Sequence, residues 1–430
     1  METSRNKIPE LVIIGGGFAG ITLIKMLKNK PVNITLFDKY NFHTFQPLLY
    51  QVATGGLDTN SIAFPFRKMF RKYNNFHFRM EEINKIDTSN NLVITQSGNY
   101  RYDLLVIATG AEPNYFGNHN ISENSIPLKN INDALSLRSA ILKVFENALL
   151  RINVAEKKVL LNFVIVGGGP TGVEIAGALA EFKKHILPKE YPELDPNFMN
   201  IHLIEAGKRV LESMSENASN KALLYLKNMG VLVRLNSSVK DFDGVKIQLN
   251  NSEILEAATL IWTAGVRGSL IQGVNNVSVI GNRYIVDEFN LIKGYNNIYA
   301  LGDIARMITD DYPKGHPMIA PVAIQQAKIL ACNLFTESKK LQPVKFHYHH
   351  KGSMATIGRN KAVADVLSFK FHGVFAWFAW MFLHLLGLIG YKNKFFVLID
   401  WTWSYFTYEK SFQLIINPLI KDTCKICDKK

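Results

Sequence analysis

The sequence predicts an α/β fold with two separate parallel-sheet units and a helical, apolar C-terminal region. Three observations predict it. The order strand, glycine turn, helix opens at Leu11 to Gly20, the same order returns at Asn162 to Gly172, and a glycine-bounded aromatic run fills Gly373 to Gly390. At 430 residues the chain has room for two or three domains around large cores.

Leu11-Val12-Ile13-Ile14 is apolar throughout, as a strand buried on both faces of a parallel sheet must be. Gly15-Gly16-Gly17-Phe18-Ala19-Gly20 follows, then a helical pattern over 21–30. Gly15 permits the tight turn, Gly17 lets a pyrophosphate approach the backbone, and Gly20 lets the helix pack on the strand. Phosphate would then meet the free N–H groups and positive dipole end of the helix. The next strand, Asn33 to Phe37, ends at Asp38, 18 residues after Gly20. That is close to the interval expected for a carboxylate accepting bonds from a ribose.

The second unit reads Asn162 to Val166, then Gly167-Gly168-Gly169-Pro170-Thr171-Gly172, then a helix through about Ile186. Its acid is Glu205, which closes the strand Asn200 to Ile204, 33 residues after Gly172. The longer interval has a local cause, because Pro188, Pro192 and Pro196 punctuate an insertion between helix and strand. A carboxylate here would repel a 2′-phosphate and favour NADH over NADPH, while Lys208 and Arg209 soften the preference. Two such units describe two Rossmann-like dinucleotide-binding domains. A flavin facing a nicotinamide is the economical pairing, and hydride transfer its chemistry.

Three more strands end in small residues, where a ligand or crossing chain could come close. They are Asp103 to Ile107 with Ala108-Thr109-Gly110, Leu260 to Trp262 with Thr263-Ala264-Gly265, and Asn297 to Leu301 with Gly302-Asp303. In this order the motifs, with Phe45-Gln46-Pro47-Leu48-Leu49-Tyr50-Gln51-Val52-Ala53, resemble the two-dinucleotide-binding-domain flavoproteins, and within them type II NADH dehydrogenase, over essentially the whole chain. The resemblance implies FAD as a tightly bound cofactor and NADH as substrate. It places Asp38 at the FAD ribose, Ala108 to Gly110 along the flavin, Asp303 at the ribityl chain and Glu174 near NADH. It extends cofactor contacts to Phe18, Ala19, Lys39, Gln46, Pro47, Gln51, Val52, Gly302, Ala264 and Gly265. The family's quinone segment has Ala-Gln, three residues, then Gln-Gln. Here Ala320-Pro321-Val322-Ala323-Ile324-Gln325-Gln326 keeps the last pair but carries Pro321 for the first glutamine. Catalytic roles are expected of Glu174, Gln325 and Gln326, since a glutamine can both donate to and accept from a quinone or flavin edge.

The C-terminal run is interrupted only by His384 and is barely long enough to cross a bilayer. Lys392-Asn393-Lys394, a second apolar run over 395–399 and the aromatic belt Trp401, Trp403, Tyr405, Phe406 and Tyr408 follow. Two marginal segments with interfacial aromatics read as helices lying in one leaflet, with Lys370, Lys392, Lys394 and Lys410 meeting lipid phosphate. A spanning helix or a buried dimer contact are the alternatives. His384 invites a proton-donor role, though a lone histidine on an apolar face is more often a packing residue. His347, His349 and His350 lack metal-ligand spacing, and no metal is expected. Cys424 and Cys427 read as part of a frayed basic tail.

Composition fits these expectations. Hydrophobic residues make up 47% and charged residues 20%, which excludes a disordered chain, and three late cysteines exclude a disulfide framework. The first nine residues contain no signal-peptide run, so secretion is not expected. The net charge of +13 calls for an anionic partner such as a phosphate ligand or lipid. Nucleic acid is not expected, as no Lys/Arg run is concentrated.

The expected domains are a discontinuous FAD domain, 1–117 and 269–340, an NADH domain, 118–268, and a membrane-associating and dimerising end, 341–430. The expected function is a non-proton-pumping NADH:quinone oxidoreductase, monotopic on the cytoplasmic face of a bacterial inner membrane and homodimeric. A sulfide:quinone oxidoreductase or a basic flavoprotein serving as a binding partner are the competing readings. A disulfide reductase is disfavoured because no cysteine precedes Cys332.

Overall fold

The computed structural model describes residues 8–334, 342–409 and 414–415. Lys410, Cys424 and Cys427 lie outside the described residues. The chain divides into two compact units, one covering Met1–His43, Phe64–Glu112 and Val266–His350, the other Thr44–Ala63, Pro113–Gly265 and Lys351–Lys430.

In the first unit the apolar strand Glu10–Ile14 takes the centre of a five-stranded parallel sheet. Asn33–Asp38 and then Phe76–Met80 lie to one side of it, and Leu104–Ile107 and then Ile298–Ala300 to the other. The helix Phe18–Met26 buries Ala19, Ile21, Leu23 and Ile24 and packs on the helix Ala320–Asn333. A fully buried cluster of Phe37, Leu105, Ile107, Tyr284 and Ile298 fills the other face.

The second unit repeats the arrangement. Asn162–Val166 is central, flanked by Asn200–Ile204 and Leu232–Arg234 on one side and by Thr259–Trp262 and Ile126–Pro127 on the other. In each sheet the glycine-turn strand therefore lies between the strand ending in an acid and the strand ending in small residues. The expected helix after the second turn spans Pro170–His185, and the proline-rich stretch folds as the short turns Leu187–Glu190 and Pro196–Phe198.

The helix Pro170–His185 carries a three-stranded antiparallel sheet, Ser353–Gly358, Lys361–Val366 and Phe369–His372. Gly177 makes this possible, because a Cβ there would overlap the Ile357 carbonyl. Two helices complete the unit, Val374–Gly387 and Tyr391–Thr407. Gly390 separates them at φ +88°, a left-handed conformation that favours glycine. No described helix is long and apolar enough to cross a membrane. The last helix is anchored by Arg359, whose guanidinium donates to the carbonyls of Ser404 at 2.6 Å and Tyr405 at 2.8 Å and lies 3.3 Å from the Tyr408 ring centre. A cation on terminal carbonyls is favourable at the negative end of the helix dipole.

Candidate functional site

The glycine turn of the first unit is shaped by what touches it. Gly15, at φ +103°, sits where a Cβ would overlap the Ala108 carbonyl, so the strand end with small residues and the turn pack directly on each other. Gly17 precedes the helix with no side-chain cap, no acidic residue follows in the first turn, and nothing lies within 4 Å of its would-be Cβ. Exposed helix N–H groups beside open space fit a dinucleotide pyrophosphate.

Asp38 Oδ2 accepts from Gly16 N at 2.6 Å and Oδ1 from Tyr40 N at 2.8 Å. Burial raises the Asp38 pKa, and these two bonds and Lys39 oppose the rise. Two further lone-pair directions remain for ribose hydroxyls. Lys39 itself is exposed, its ammonium over the Tyr40 ring.

His43 is a residue the sequence did not single out. It is buried, its Nδ1 donates to the Gly16 carbonyl at 3.0 Å, and its ring meets Phe18 edge-on. Burial lowers its pKa to about 4, so it is neutral at neutral pH with Nε2 unpartnered. No sequence spacing announces it.

Elsewhere in this unit Thr109 Oγ1 donates to the Ser269 carbonyl at 2.6 Å, and the Gly110 carbonyl accepts from Ser269 N at 3.1 Å. Gly302, at φ +75°, donates its N–H to Gln326 Oε1 at 2.7 Å. Gln326 is 1% exposed and its Nε2 has no partner among the described residues. Gln325 exchanges two 3.0 Å bonds with the main chain of His349, which occupies both ends of its amide. His347, His349 and His350 are exposed, while Phe346 before them and Tyr348 between them are buried. Among the described residues no cluster could hold a metal ion.

The second turn reproduces the first. Gly167, at φ +107°, packs on the Thr263 carbonyl, Gly169 caps the helix without a side chain and faces open space, and Pro170 stands at the first turn. Glu205 accepts from Gly168 N and Gly207 N, both at 2.5 Å. Ala264 packs on the core under the sheet, and the Gly265 carbonyl accepts from Asn114 N at 3.1 Å.

One turn into this helix Glu174 is 8% exposed. Burial raises its pKa well above the usual carboxylate value, against one bond from the Thr356 main chain. It lines a cavity of about 110 Å³ with Tyr50, Gln51, Trp380 and Trp401. Gln46 and Pro47 start the short turn Gln46–Leu48, which leads into the helix Leu49–Ala53 holding Gln51 and buried Val52. His384 donates from Nδ1 to the Trp380 carbonyl at 2.7 Å and stacks on Trp380 at 3.9 Å. Burial lowers its pKa to about 4, which makes it a neutral packing residue.

The chain is similar to known proteins in both sequence and fold. The pyridine nucleotide-disulphide oxidoreductase family matches residues 9–327, and the NDH2 C-terminal domain matches residues 350–407. The type II NADH:quinone oxidoreductase Ndh of Mycobacterium tuberculosis is 36% identical over 409 residues, covering 91% of this chain and 87% of its own. The structure of NDH2 from Plasmodium falciparum in complex with NADH superposes with a TM-score of 0.87 at 23% identity, covering 96% of this chain and 100% of that one. The sulfide:quinone oxidoreductase of Aquifex aeolicus shares the fold at a TM-score of 0.71 and 19% identity, over 95% of this chain and 96% of that one. That distance leaves the sulfide:quinone reading with fold likeness alone. With two glycine turns, two turn-bound acids and both domains matched, the chain belongs to the type II NADH:quinone oxidoreductase family.

Proposed function

We propose that the chain oxidises NADH and reduces a membrane quinone without pumping protons. The observation that carries this reading is the pair of bare helix N-termini at Gly17 and Gly169, each beside a carboxylate bound to its own glycine turn. FAD, when bound, would supply the redox chemistry that links NADH oxidation to quinone reduction. Everything else is positioning, proton supply and exclusion of water.

Gly15, Gly17, Phe18, Ala19 and Gly20 hold the FAD pyrophosphate, and Asp38, with Lys39 at its side, takes the adenosine ribose. Ala108, Thr109 and Gly110 line the flavin, and Gln46, Pro47, Gln51 and Val52 are the cofactor contacts offered by the second unit. Gly302 and Asp303 hold the ribityl chain, and Gln326, fixed through its carbonyl to Gly302, offers its free amide N–H to the flavin or quinone edge. Gln325 acts by holding His349 in place. In the second unit Gly167, Gly169, Pro170, Thr171 and Gly172 hold the NADH pyrophosphate, Glu205 selects the unphosphorylated ribose, and Ala264 and Gly265 leave room for the nicotinamide half. Glu174, its pKa raised well above the usual carboxylate value by burial, is the group placed to supply a proton as the quinone is reduced.

The C-terminal helices support a membrane-surface location. Phe375, Phe382, Phe395 and Phe406 are at least 60% exposed, with Lys392 and Lys394 beside them. Exposed aromatics next to lysines suit the interface of an anionic leaflet. The cytoplasmic face of a bacterial inner membrane and a homodimer formed through this region complete the reading.

The test is NADH oxidation by detergent-purified, FAD-loaded protein, with and without a short-chain quinone, and with NADPH as parallel donor. Quinone-dependent turnover favouring NADH is expected. Flavin bleaching by NADH without quinone-dependent turnover would sink the quinone half of the proposal.

A further inference from the structure

The cavity beside Glu174 contains a hydrogen-bond chain whose direction is fixed at one end. Trp401, on the helix Tyr391–Thr407, donates its indole N–H to Gln51 Oε1 at 2.7 Å. Indole has a donor and no acceptor, so the Gln51 oxygen must face it. The Gln51 amide nitrogen is thereby turned the other way, where it donates to Tyr50 Oη at 2.9 Å. Tyr50 accepts that bond, and its own hydrogen is left to donate elsewhere. No acceptor for it lies within hydrogen-bond distance among the described residues. Tyr50 is 7% exposed, and burial raises its pKa well above the usual value, so the hydroxyl keeps its hydrogen.

A second donor stands in the same cavity. Trp380 is 1% exposed, and its indole N–H has no partner. A buried N–H without an acceptor costs about 1–3 kcal/mol, a cost that a ligand oxygen would remove. The cavity volume, about 110 Å³, approaches that of cavities known to take a single benzene ring, roughly 150 Å³.

We propose that this cavity recognises the oxidised quinone through two donors, the Tyr50 hydroxyl and the Trp380 indole N–H, and that Trp401 and Gln51 are positioning residues that aim Tyr50. The inference rests on the quinone-reductase reading above. A quinone oxygen only accepts, so it satisfies a donor fully. A quinol oxygen must also place its own hydrogen, which two donors do not receive. These two donors therefore favour the quinone over the quinol.

The experiment uses the FAD-loaded, detergent-purified full chain and its Y50F, W380F and W401F variants. Each is assayed for quinone KM with a short-chain quinone, for inhibition by the corresponding quinol, and for anaerobic bleaching of the flavin by NADH. Y50F and W380F should each raise quinone KM about 5- to 10-fold, the loss of one hydrogen bond, and move the quinol inhibition constant less than about twofold. W401F should shift the same ratio in the same direction by less, because a freed Gln51 amide can turn its oxygen to Tyr50. Bleaching by NADH should be unchanged in all three. Should one variant fail to retain flavin, the other two carry the test. Unchanged quinone KM in Y50F and W380F, or equal shifts for quinone and quinol, would overturn the proposal. Slowed bleaching would overturn it too, assigning the cavity to the nucleotide. A wild-type protein that bleaches with NADH but never turns over quinone would remove the reductase reading itself, a result separate from any variant's.

Discussion

The two glycine turns are nearly the same piece of backbone in different surroundings. Each begins with a positive-φ glycine packed on a carbonyl, each ends in an uncapped helix, and each has its second glycine N–H bonded to an acid. What differs is what encloses the turn. Gly16 is pressed by the fully buried Phe66 ring and bonded through its carbonyl to buried His43. A Cβ at Gly168 would meet the side chain of Glu205, and the Gly168 carbonyl accepts from Leu211 N at 2.8 Å. Backbone geometry can thus specify a dinucleotide without saying how long it stays. A rigid aromatic wall suits a resident cofactor, and a movable carboxylate suits a substrate that must exchange.

The strongest way to break the comparison is to remove the shared feature. G15A and G167A each force a side chain into a positive-φ position against a main-chain carbonyl, together about 3 kcal/mol, or roughly 100-fold in affinity. G15A should purify without the yellow flavin absorbance, whereas G167A should keep it and fail to bleach with NADH. Identical losses in both would mean that the two turns serve one ligand.

The next pair tests the difference itself. In G16A the new methyl must displace a rigid ring, and overpacking of this kind costs about 1–3 kcal/mol. In G168A it pushes only against Glu205. Thermal release of flavin from G16A should come several degrees earlier than from wild type. G168A should release flavin as wild type does and raise the NADH KM only a few-fold. A smaller effect follows from E205Q, which removes the charge that repels a 2′-phosphate while leaving one acceptor for the two main-chain N–H groups. The ratio of kcat/KM for NADH over NADPH should fall about 10-fold, on the order of 1.4 kcal/mol, as steady-state assays would read.

Both turns and their acids were legible in the sequence because each acid lies within some forty residues of the turn it bonds. Apolar runs mark the strands, glycines the close approaches, and a carboxylate at a strand end can reach only the adjacent turn. The cavity was not legible. Trp401 bonds Gln51 across 350 positions, and an aromatic residue suited to a lipid interface is equally suited to donate inward. Gln325 shows the same limit from the other side. Its type suggested an edge for a quinone, but main-chain pairing with His349, invisible in a side-chain pattern, uses both ends of its amide. His384 could be weighed correctly from its apolar context, whereas His43 had no pattern around it.

Glu174 gives the smallest effect and the sharpest contrast with Asp38, since the two carboxylates are buried differently. Both have pKa values raised by burial, but Asp38 has two main-chain N–H partners and a nearby lysine, while Glu174 has one partner. A carboxyl whose folded pKa lies above its unfolded value binds its proton more tightly when folded. Its site contributes most below the unfolded pKa, and stability falls as pH rises from there towards the folded pKa. E174Q is a neutral isostere that can still accept from the Thr356 main chain, so it removes that slope. The variant should match wild type in melting temperature near pH 4 and exceed it by a few degrees at pH 8, measured by flavin release. A wild-type curve without that decline, or an E174Q curve that keeps it, would show that Glu174 is already ionised at neutral pH and is no proton donor.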